Sequence, residues 1–540
     1  MRVLGISPAH DSSVCLYEDG KIVSFYKEER LSKKKKDKLP ILAVQKVLEG
    51  VNHIDLAVYC GVIKDKYQFD HFGLVLNKFV KCDNFIDFSD SHHLQHASLA
   101  FYNSGFETAS VIIVDRNGSV VADSTRESET IFSASYPANF KEVYKSLWVF
   151  DNSAHVQTRY LNQNSDCEYD AKSMFGIVKV YESATTLIGQ NILENGKTMG
   201  LSAYGEKVDG SRLFVKGTNI PNDFYLGHDE NYESINYDLD PHRVFSVDED
   251  NYQMYADYAW QVQEQTQEAV AYLIEKSVEK TGNKNIVISG GYGLNVVANR
   301  YYIDRFPELN FYFEPLADDT GNSIGGAMLF YRQNTGDMEI RPLKHTFFHG
   351  SEQGVGGSLG PKVSIRDIAE MICSNKSVAI FQGKAEAGPR ALGHRSILFN
   401  AMNDDAKKIV NRIKKREWYR PFAAAVLEED ADQYFDMAGI TAPFMTVSFP
   451  AKELACDLFK GIVHVDGTCR IQTVNKDIPT LYALLQEIKS ITGHGIVLNT
   501  SFNLAGEPLV ESMSDAIKTL QNSELDVLWF PDVNNAIIKE

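Results

Sequence analysis

Three times between residues 2 and 291, a short apolar run ends in a loop of polar residues and glycine. Residues 2–6 run into Ser7, Pro8, His10 and Asp11; residues 110–114 run into Asp115 and the Asn117-Gly118 pair; residues 285–289 run into Gly290 and Gly291. Short runs of this kind read as buried strands. Repeated strand-to-loop junctions predict an α/β core whose loops gather around a ligand. The Asp19-Gly20 pair predicts a tight hairpin between residues 14–17 and 21–25, because both residues tolerate positive φ. Asn117-Gly118 predicts a similar turn ahead of residues 120–122. An apolar stripe at Val262, Val270, Ile274 and Val278 predicts a helix over 261–279.

Turn formers then accumulate at Asn334, Thr335, Gly336, Asp337 and Pro342, followed by GSEQGVGGSLGP over 350–361. Gly- and Ser-rich sequence of this kind predicts a linker, so the main domain boundary falls here. Beyond it, 365–373 reads as a helix and 377–381 as a strand, opening a second α/β unit. A length of 540 residues accommodates several domains. No short-period repeat is visible.

The 72 acidic and 54 basic side chains give a net charge of −18. That balance weighs against broad attraction to nucleic-acid phosphates but leaves room for a local basic groove. The seven cysteines are dispersed and form no CxxC pair, which fits reduced thiols better than a disulfide framework or zinc ribbon. The N-terminus lacks a signal peptide's apolar core, and no run approaches the roughly 18 to 20 apolar residues of a membrane span. The expectation is a cytoplasmic protein without membrane association. The run Lys33, Lys34, Lys35 and Lys36 reads as solvated surface, with an anion contact as the alternative.

His92 and His96 in SDSHHLQHASLAFY stand four residues apart, which places both imidazoles on one helical face, as chelation of a divalent metal requires. The other ring nitrogens are then available for supporting hydrogen bonds. Core packing is the competing reading of two histidines alone, and His93 is a supporting residue or simply packed. Asp115 at a strand end and Asp319 in PLADDTGNSIGGA can reach a common site, and mixed imidazole and carboxylate ligation suits iron, zinc or manganese. SGGYGLN (289–295) and NGKTMGLSAYG (195–205) let backbone approach a phosphate or purine, with Lys197 supplying charge; ordinary turns remain the alternative. Neither is a standard nucleotide motif: Asn191 stands where a Walker A loop needs glycine, and Val296 where the dinucleotide fingerprint needs Gly or Ala.

The densest cationic set lies further on, in GPRALGHRS (388–396), KKREWYRPF (414–422), HVDGTCR (464–470) and NTSFN (499–503). Arginines embedded among apolar residues need anionic partners. Those partners are phosphates or carboxylates of a ligand, or alternatively the structural carboxylates of Glu386, Glu417 and Asp466. No GxSxG elbow is present. The His10-Asp11 pair offers an imidazole that can take a proton from a hydroxyl, with a hydrogen-bonded structural histidine as the alternative.

Taken in order, the HD pair at His10, EER at 28–30, HHLQHA at 92–97, GKTMGLSAYG, SGGYGLN, GPRALGHRS, HVDGTCRIQTV and NTSFNLAGEP resemble the NodU/CmcH family of O-carbamoyltransferases, which has antibiotic-modifying members. The likeness covers nearly the whole chain. It implies an α/β protein with an actin/sugar-kinase/heat-shock-chaperone-like carbamoyl-transfer domain over 1–350, a linker over 351–364 and a YrdC-like domain over 365–540. The YrdC-like half is implied to form carbamoyl-adenylate from carbamoyl phosphate and ATP, with magnesium on the nucleotide. The N-terminal half then passes the carbamoyl group to an acceptor hydroxyl as AMP leaves.

By that resemblance, Arg390, Lys414, Arg420, Arg470, Asn499 and Ser501 serve adenylation and phosphate binding, with Arg395, Ser396 and Lys415 as neighbours. His92, His96, Asp115 and Asp319 hold the metal, iron foremost and zinc or manganese besides. Lys197, Gly290, Gly291 and Asn295 line the nucleotide, and His10, beside Asp11, is the base. Implied acceptors are small-molecule natural products, sugars and hydroxymethylated pyrimidines, free or in DNA; the resemblance leaves room for a homodimer. His349-Gly350-Ser351 and Ala387 depart from the family pattern near the domain junction. The acceptor pocket falls in the least matched stretches, 133–191 and 210–250. The rival readings are an actin-like kinase or ATPase, and a non-catalytic nucleotide-binding partner in a tRNA threonylcarbamoylation-type complex.

Overall fold

The computed structural model describes residues 1–122, 125–149, 161–163, 165–173, 176–207, 252–352 and 359–539. The stretch 210–250 expected to contribute to an acceptor pocket lies outside them, as does 353–358 of the expected linker. The chain divides into two compact units: residues 1–9, 17–20 and 52–343, and residues 10–16, 21–51 and 344–540.

The chain begins with β1 (Arg2–Ser7), β2 (Ser13–Glu18) and β3 (Lys21–Lys27). Asp19 and Gly20 both take positive φ, 48° and 81°, between β2 and β3, as the hairpin expectation requires. Helices α1 (Glu28–Ser32) and α2 (Ile41–Val47) follow, then β4 (His53–Tyr59), α3 (Lys66–Leu76), β5 (Lys81–Asp87) and α4 (His92–Ser104). β4 runs parallel to both β1 and β5. Val3, Leu4 and Ile6 of β1 and Ala57 and Val58 of β4 are fully buried, as parallel strands covered on both faces demand.

The same plan then recurs. β6 (Thr108–Val114), β7 (Val120–Ala122), β8 (Thr125–Ser135), β9 (Asn139–Val149) and β10 (Glu168–Ser173) are followed by α5 (Ile177–Leu187), α6 (Asn195–Ser202) and the long α7 (Tyr252–Thr281). β11 (Asn285–Ser289), α8 (Val296–Arg305), β12 (Asn310–Phe313) and α9 (Asn322–Thr335) complete it. This second sheet has the order β10-β9-β8-β6-β11-β12, with β7 on β8. β11 lies parallel to β6 and β12, as β4 does to β1 and β5. Each parallel trio ends in a helix, α4 after β5 and α9 after β12, and these two helices pack together. A Cβ at Gly325 of α9 would stand 2.1 Å from the Gln95 carbonyl oxygen of α4, so the approach requires glycine.

One expected turn is not formed as read. Asn117-Gly118 does not join β6 to β7 as a hairpin, because β6 and β7 both pair with β8. The intervening loop adds its own bonds to β8: Gly118 N–H donates to the Glu127 carbonyl at 2.9 Å, and Glu127 N–H to the Ser119 carbonyl at 3.1 Å. The long β8 outcompetes the local turn.

The second unit contains α10 (Ile365–Cys373), β13 (Val378–Phe381), β14 (Arg395–Phe399), α11 (Ala406–Lys414), β15 (Ala423–Leu427), α12 (Ala431–Tyr434), β16 (Ser448–Pro450), α13 (Glu453–Leu458), β17 (Thr468–Val474), α14 (Pro479–Thr492), β18 (Ile496–Ser501), α15 (Met513–Gln521), β19 (Val527–Phe530) and β20 (Asn535–Ile538). Its sheet has the order β16-β17-β15-β18-β14-β13-β19-β20. A Ser364–Asp367 capping box starts α10. Ile368, Ala369 and Ile372 of α10 pack with Leu481, Leu484 and Leu485 of α14 over Val378, Leu398, Ala425, Val474 and Val497 of the sheet. On the same face, register places Arg470 beside Ala423, Asn499 beside Ala423, and Ser501 beside Ser396. The face is therefore apolar under the helices and polar beyond them.

Residues from the start of the chain are built into this unit. Glu28 accepts the Leu42 and Ala43 N–H groups at 3.1 and 2.8 Å, and Arg30, buried, donates to the Gly388 carbonyl at 3.4 Å. His349 is fully buried: its Nε2 accepts the Lys27 N–H at 2.8 Å and its Nδ1 lies 2.7 Å from Glu511. Burial opposes the Glu511 charge, but His349 and Arg30 outweigh it and bring the pKa down to about 2. Burial also lowers His349.

Two outcomes follow. Gly325→Ala is expected to destabilise the first unit by about 1–3 kcal/mol through overpacking, whereas Gly196→Ala, where an added Cβ meets nothing within 4 Å, is neutral or stabilising; calorimetric melting compares them. His349 and Glu511 both have depressed folded pKa values, so each contributes stability at neutral pH that is lost on acidification. Denaturant midpoints of the second unit should fall as pH drops below the ordinary histidine value, fall more steeply below the ordinary glutamate value, and lose the steeper phase in Glu511→Gln.

Candidate metal centre and cationic cluster

His92 is the first residue of α4 and His96 lies one turn on, both fully buried. Asp115 follows the last residue of β6, and Asp319 opens the single turn Asp319–Gly321 ahead of α9. The packing of α4 against α9 brings the four together. His92 Nε2 lies 3.4 Å from Asp115 Oδ2 and 3.4 Å from Asp319 Oδ1; His96 Nε2 lies 3.3 Å from Asp319 Oδ1 and 3.3 Å from His92 Nε2. All four expected ligands thus converge.

The donor set fits a metal ion. Separations near 3.4 Å are those of atoms sharing one tetrahedral ion at about 2 Å, the bonding distance of zinc to nitrogen and oxygen, and the two-nitrogen, two-oxygen set equally suits iron or manganese. Burial pushes His92 down, yet Asp319 and Asp115 overcome it and raise its pKa to about 10. Burial likewise opposes ionisation of Asp115, but the His92 and His96 imidazoles hold it well below the usual carboxylate range. The supporting bonds expected at the opposite ring nitrogens are not made: His92 Nδ1 and His96 Nδ1 are buried without hydrogen-bond partners. The rings are held instead by their helix and the two carboxylates.

Gly291 N–H donates to Asp115 Oδ1 at 3.0 Å, leaving Oδ2 for the cluster. Gly290 has φ +85°, and a Cβ there would stand 2.4 Å from the Val114 carbonyl oxygen; glycine at 290 lets this loop close on β6. Asn295 does not join them: it caps α8 by accepting the Ala298 N–H at 3.1 Å and donates to Gln263 at 3.0 Å. Lys197 bonds Gln190 and Glu194, both at 2.9 Å. Sequence reasoning missed Asn322, whose Nδ2 stands 3.3 Å from His96 Nε2. It also missed Arg116 and Lys179, which flank buried Glu182 at 3.0 and 4.0 Å; the Arg116 position directly after Asp115 was the available signal.

His10 and Asp11 belong to the second unit. His10 Nδ1 lies 2.6 Å from Asp11 Oδ2, and Lys27 Nζ stands 3.6 Å from Asp11 Oδ1 and 3.5 Å from Glu29. The carboxylate orients a partly exposed imidazole, as proton transfer requires.

Among the cationic residues, Lys414 ends α11 and is buried, with Nζ donating to the carbonyl and hydroxyl of Ser501 and, at 2.8 Å, to the Asn503 carbonyl. Burial and then the charges of Arg416 and Arg420 push its pKa well below the ordinary lysine value. Burial and then Arg390 act the same way on Arg470, whose buried Nε has no hydrogen-bond partner. An anion placed among these neighbouring cations would offset their mutual repulsion. Asn499 Nδ2 donates to Ala391 and Gln472, leaving its buried Oδ1 unpartnered.

Three expected neighbours stand apart in character. Arg395 donates to the carbonyls of Gln382 at 2.5 Å and Gly383 at 3.0 Å and lies over the Phe381 ring. Ser396 accepts the Gly393 N–H at 3.0 Å, and Lys415 is the exposed left-handed cap of α11. Arg420 pairs with Glu417 at 3.4 Å. Arg416, missed individually, bonds Asn411 and Pro421 and lies over the Phe422 ring.

Comparison with known proteins places both regions in one family. Residues 73–328 match the model of the carbamoyltransferase N-terminus and residues 369–537 that of the carbamoyltransferase C-terminus. The chain is 28% identical over 567 residues to nodulation protein NolNO of Sinorhizobium fredii, covering 96% of this chain and 78% of that protein. It is 32% identical over 253 residues to nodulation protein U of Rhizobium tropici, covering 46% of this chain and 43% of that one. Among solved structures, full-length HypF in its phosphate- and nucleotide-bound form aligns over 62% of this chain and 56% of its own, with 13% identity and a TM-score of 0.39. With both the N- and the C-terminal models matched in order, the chain belongs to the carbamoyltransferase family.

Proposed function

We propose that the protein is an ATP-dependent O-carbamoyltransferase with two half-reactions in two sites. The observation that carries this reading is the pairing, in one carbamoyltransferase-family chain, of a four-donor metal cluster in the first unit with a cluster of cationic side chains in the second. An actin/sugar-kinase-like portion within residues 1–350 carries the transfer chemistry on this reading. The YrdC-like portion at 365–540 carries adenylation.

In the second unit, water releases phosphate from carbamoyl phosphate to give carbamate, whose oxygen attacks the α-phosphorus of ATP and expels pyrophosphate, leaving carbamoyl-adenylate. Arg390, Arg420, Arg470 and Lys414 offset the charge repulsion between two anions and stabilise the charge that develops on the phosphoryl oxygens. Asn499 and Ser501 orient the reactants. In the transfer step the acceptor oxygen bonds to the carbamoyl carbon, the bond to the phosphate oxygen breaks and AMP leaves. His10, held by Asp11 in the second unit, is a group able to take a hydroxyl proton. His92, His96, Asp115 and Asp319 would hold the metal, which when bound supplies Lewis-acid polarisation of an oxygen. Gly290 and Gly291 bring backbone close to this site. The acceptor is a small-molecule, sugar or nucleotide alcohol.

The test incubates the metal-replete protein with carbamoyl phosphate, ATP and magnesium plus a panel of alcohols, following AMP, pyrophosphate and carbamate product by mass. Absence of AMP and pyrophosphate with every acceptor overturns the reading. Arg470→Ala is expected to lower carbamate-dependent ATP–pyrophosphate exchange by about 10²–10³-fold while metal content is unchanged. His96→Gln should do the reverse, losing bound metal and product formation but retaining exchange.

A further inference from the structure

Helix α4 carries two of the four metal-binding side chains, yet the side chain of its own cap residue leaves the first N–H of the helix without an acceptor. Ser91 precedes the helix and makes no side-chain capping bond, although the first backbone N–H groups of a helix have no partner within it. The missing acceptor comes from a different segment. The His92 N–H donates to Ser119 Oγ at 2.9 Å, and the same hydroxyl donates to the Ser89 carbonyl at 3.0 Å. Ser119 closes the short loop that begins at Asp115, so one hydroxyl ties the helix bearing His92 and His96 to the loop bearing the third donor.

That loop is itself anchored in a buried polar network. Ser119 N–H donates to Glu127 Oε2 at 2.9 Å, and Lys145 Nζ donates to Glu127 Oε1 at 2.6 Å and to Glu142 at 2.8 Å. Ser119, Glu127 and Lys145 are all buried. Burial opposes the Glu127 charge, and His93 and Lys145 outweigh it. A carboxylate and an ammonium buried together hold their geometry, because breaking the pair leaves an uncompensated charge.

We propose that Ser119, fixed by Glu127 and Lys145, is a positioning residue for the metal centre, setting the spacing between the α4 imidazoles and Asp115. It touches neither metal nor substrate. Since the imidazole Nδ1 atoms have no hydrogen-bond partners, this backbone cap is the tie between the α4 imidazoles and the Asp115 loop. The proposal rests on the four-donor site binding a metal, but not on carbamoyl transfer.

The test is cobalt(II) binding to the full chain, read by visible absorption and by affinity. Ser119→Ala is expected to weaken cobalt binding about 10–100-fold, as loss of outer support typically does, and to shift the ligand-field bands, while Ser277→Ala changes affinity by less than about twofold. Ser277 is the control because its buried hydroxyl, in α7 of the same unit, donates to the Ile274 carbonyl of its own helix and ties down none of the ligand-bearing segments. Unchanged affinity and bands in Ser119→Ala overturn the proposal, as do equal losses in both variants. Hydrogen exchange on the unaltered chain gives an arm independent of any variant's folding: peptides spanning 88–96 and 113–120 should gain protection together as cobalt is added. Protection confined to 88–96 overturns it. Failure of the unaltered chain to bind cobalt instead removes the metal site itself, a separate result.

Discussion

Two imidazoles and two carboxylates buried with their donor atoms within 4.8 Å of one another cannot coexist as neutral bystanders. Each carboxylate needs a positive partner, and each Nε2 lies within 3.4 Å of a carboxylate oxygen. Either a proton or a cation must sit among them, and the site's geometry serves the cation, because all four donor atoms point to one centre. The surrounding structure follows from meeting that demand with groups drawn from three separated parts of the sequence.

Duplication solves the delivery problem. A parallel trio of strands followed by a helix occurs twice in the first unit, and the two helices pack directly on one another. One copy supplies His92 and His96 from the start of its helix, and the other supplies Asp115 from its first strand and Asp319 from just before its helix. Gly325 permits the close helix contact, so the metal spacing depends on a residue that never touches it.

Part of this was legible in the sequence. The four-residue spacing of His92 and His96 and the strand-end position of Asp115 marked the ligands, because helix periodicity and strand termini are local properties. Asp319 rather than the adjacent Asp318 reaches the site for a visible structural reason: Asp318 accepts the Thr320 N–H at 3.2 Å. Asn295 and Arg395 carried the right chemistry for nucleotide contacts, yet the structure engages their side chains with a helix start and with carbonyls, which no motif reveals. Asn117-Gly118 looked like a hairpin turn because the pairing of β8 with the whole loop is non-local. Ser119 was invisible for the same reason, since its partners lie 27 and 30 residues away.

The second unit joins residues 10–16 and 21–51 to residues 344–540. Lys27 and Glu511 both meet the buried His349, so the ribosome releases one side of that contact long before the other exists. At roughly 5–20 residues per second of synthesis, the early segment waits on the order of a minute for its partner. During that interval its apolar residues, Phe25 among them, have no finished core to enter. A fragment beginning at the apparent linker lacks them for good, so dissecting this protein at a single cut leaves the C-terminal piece without part of its own interior.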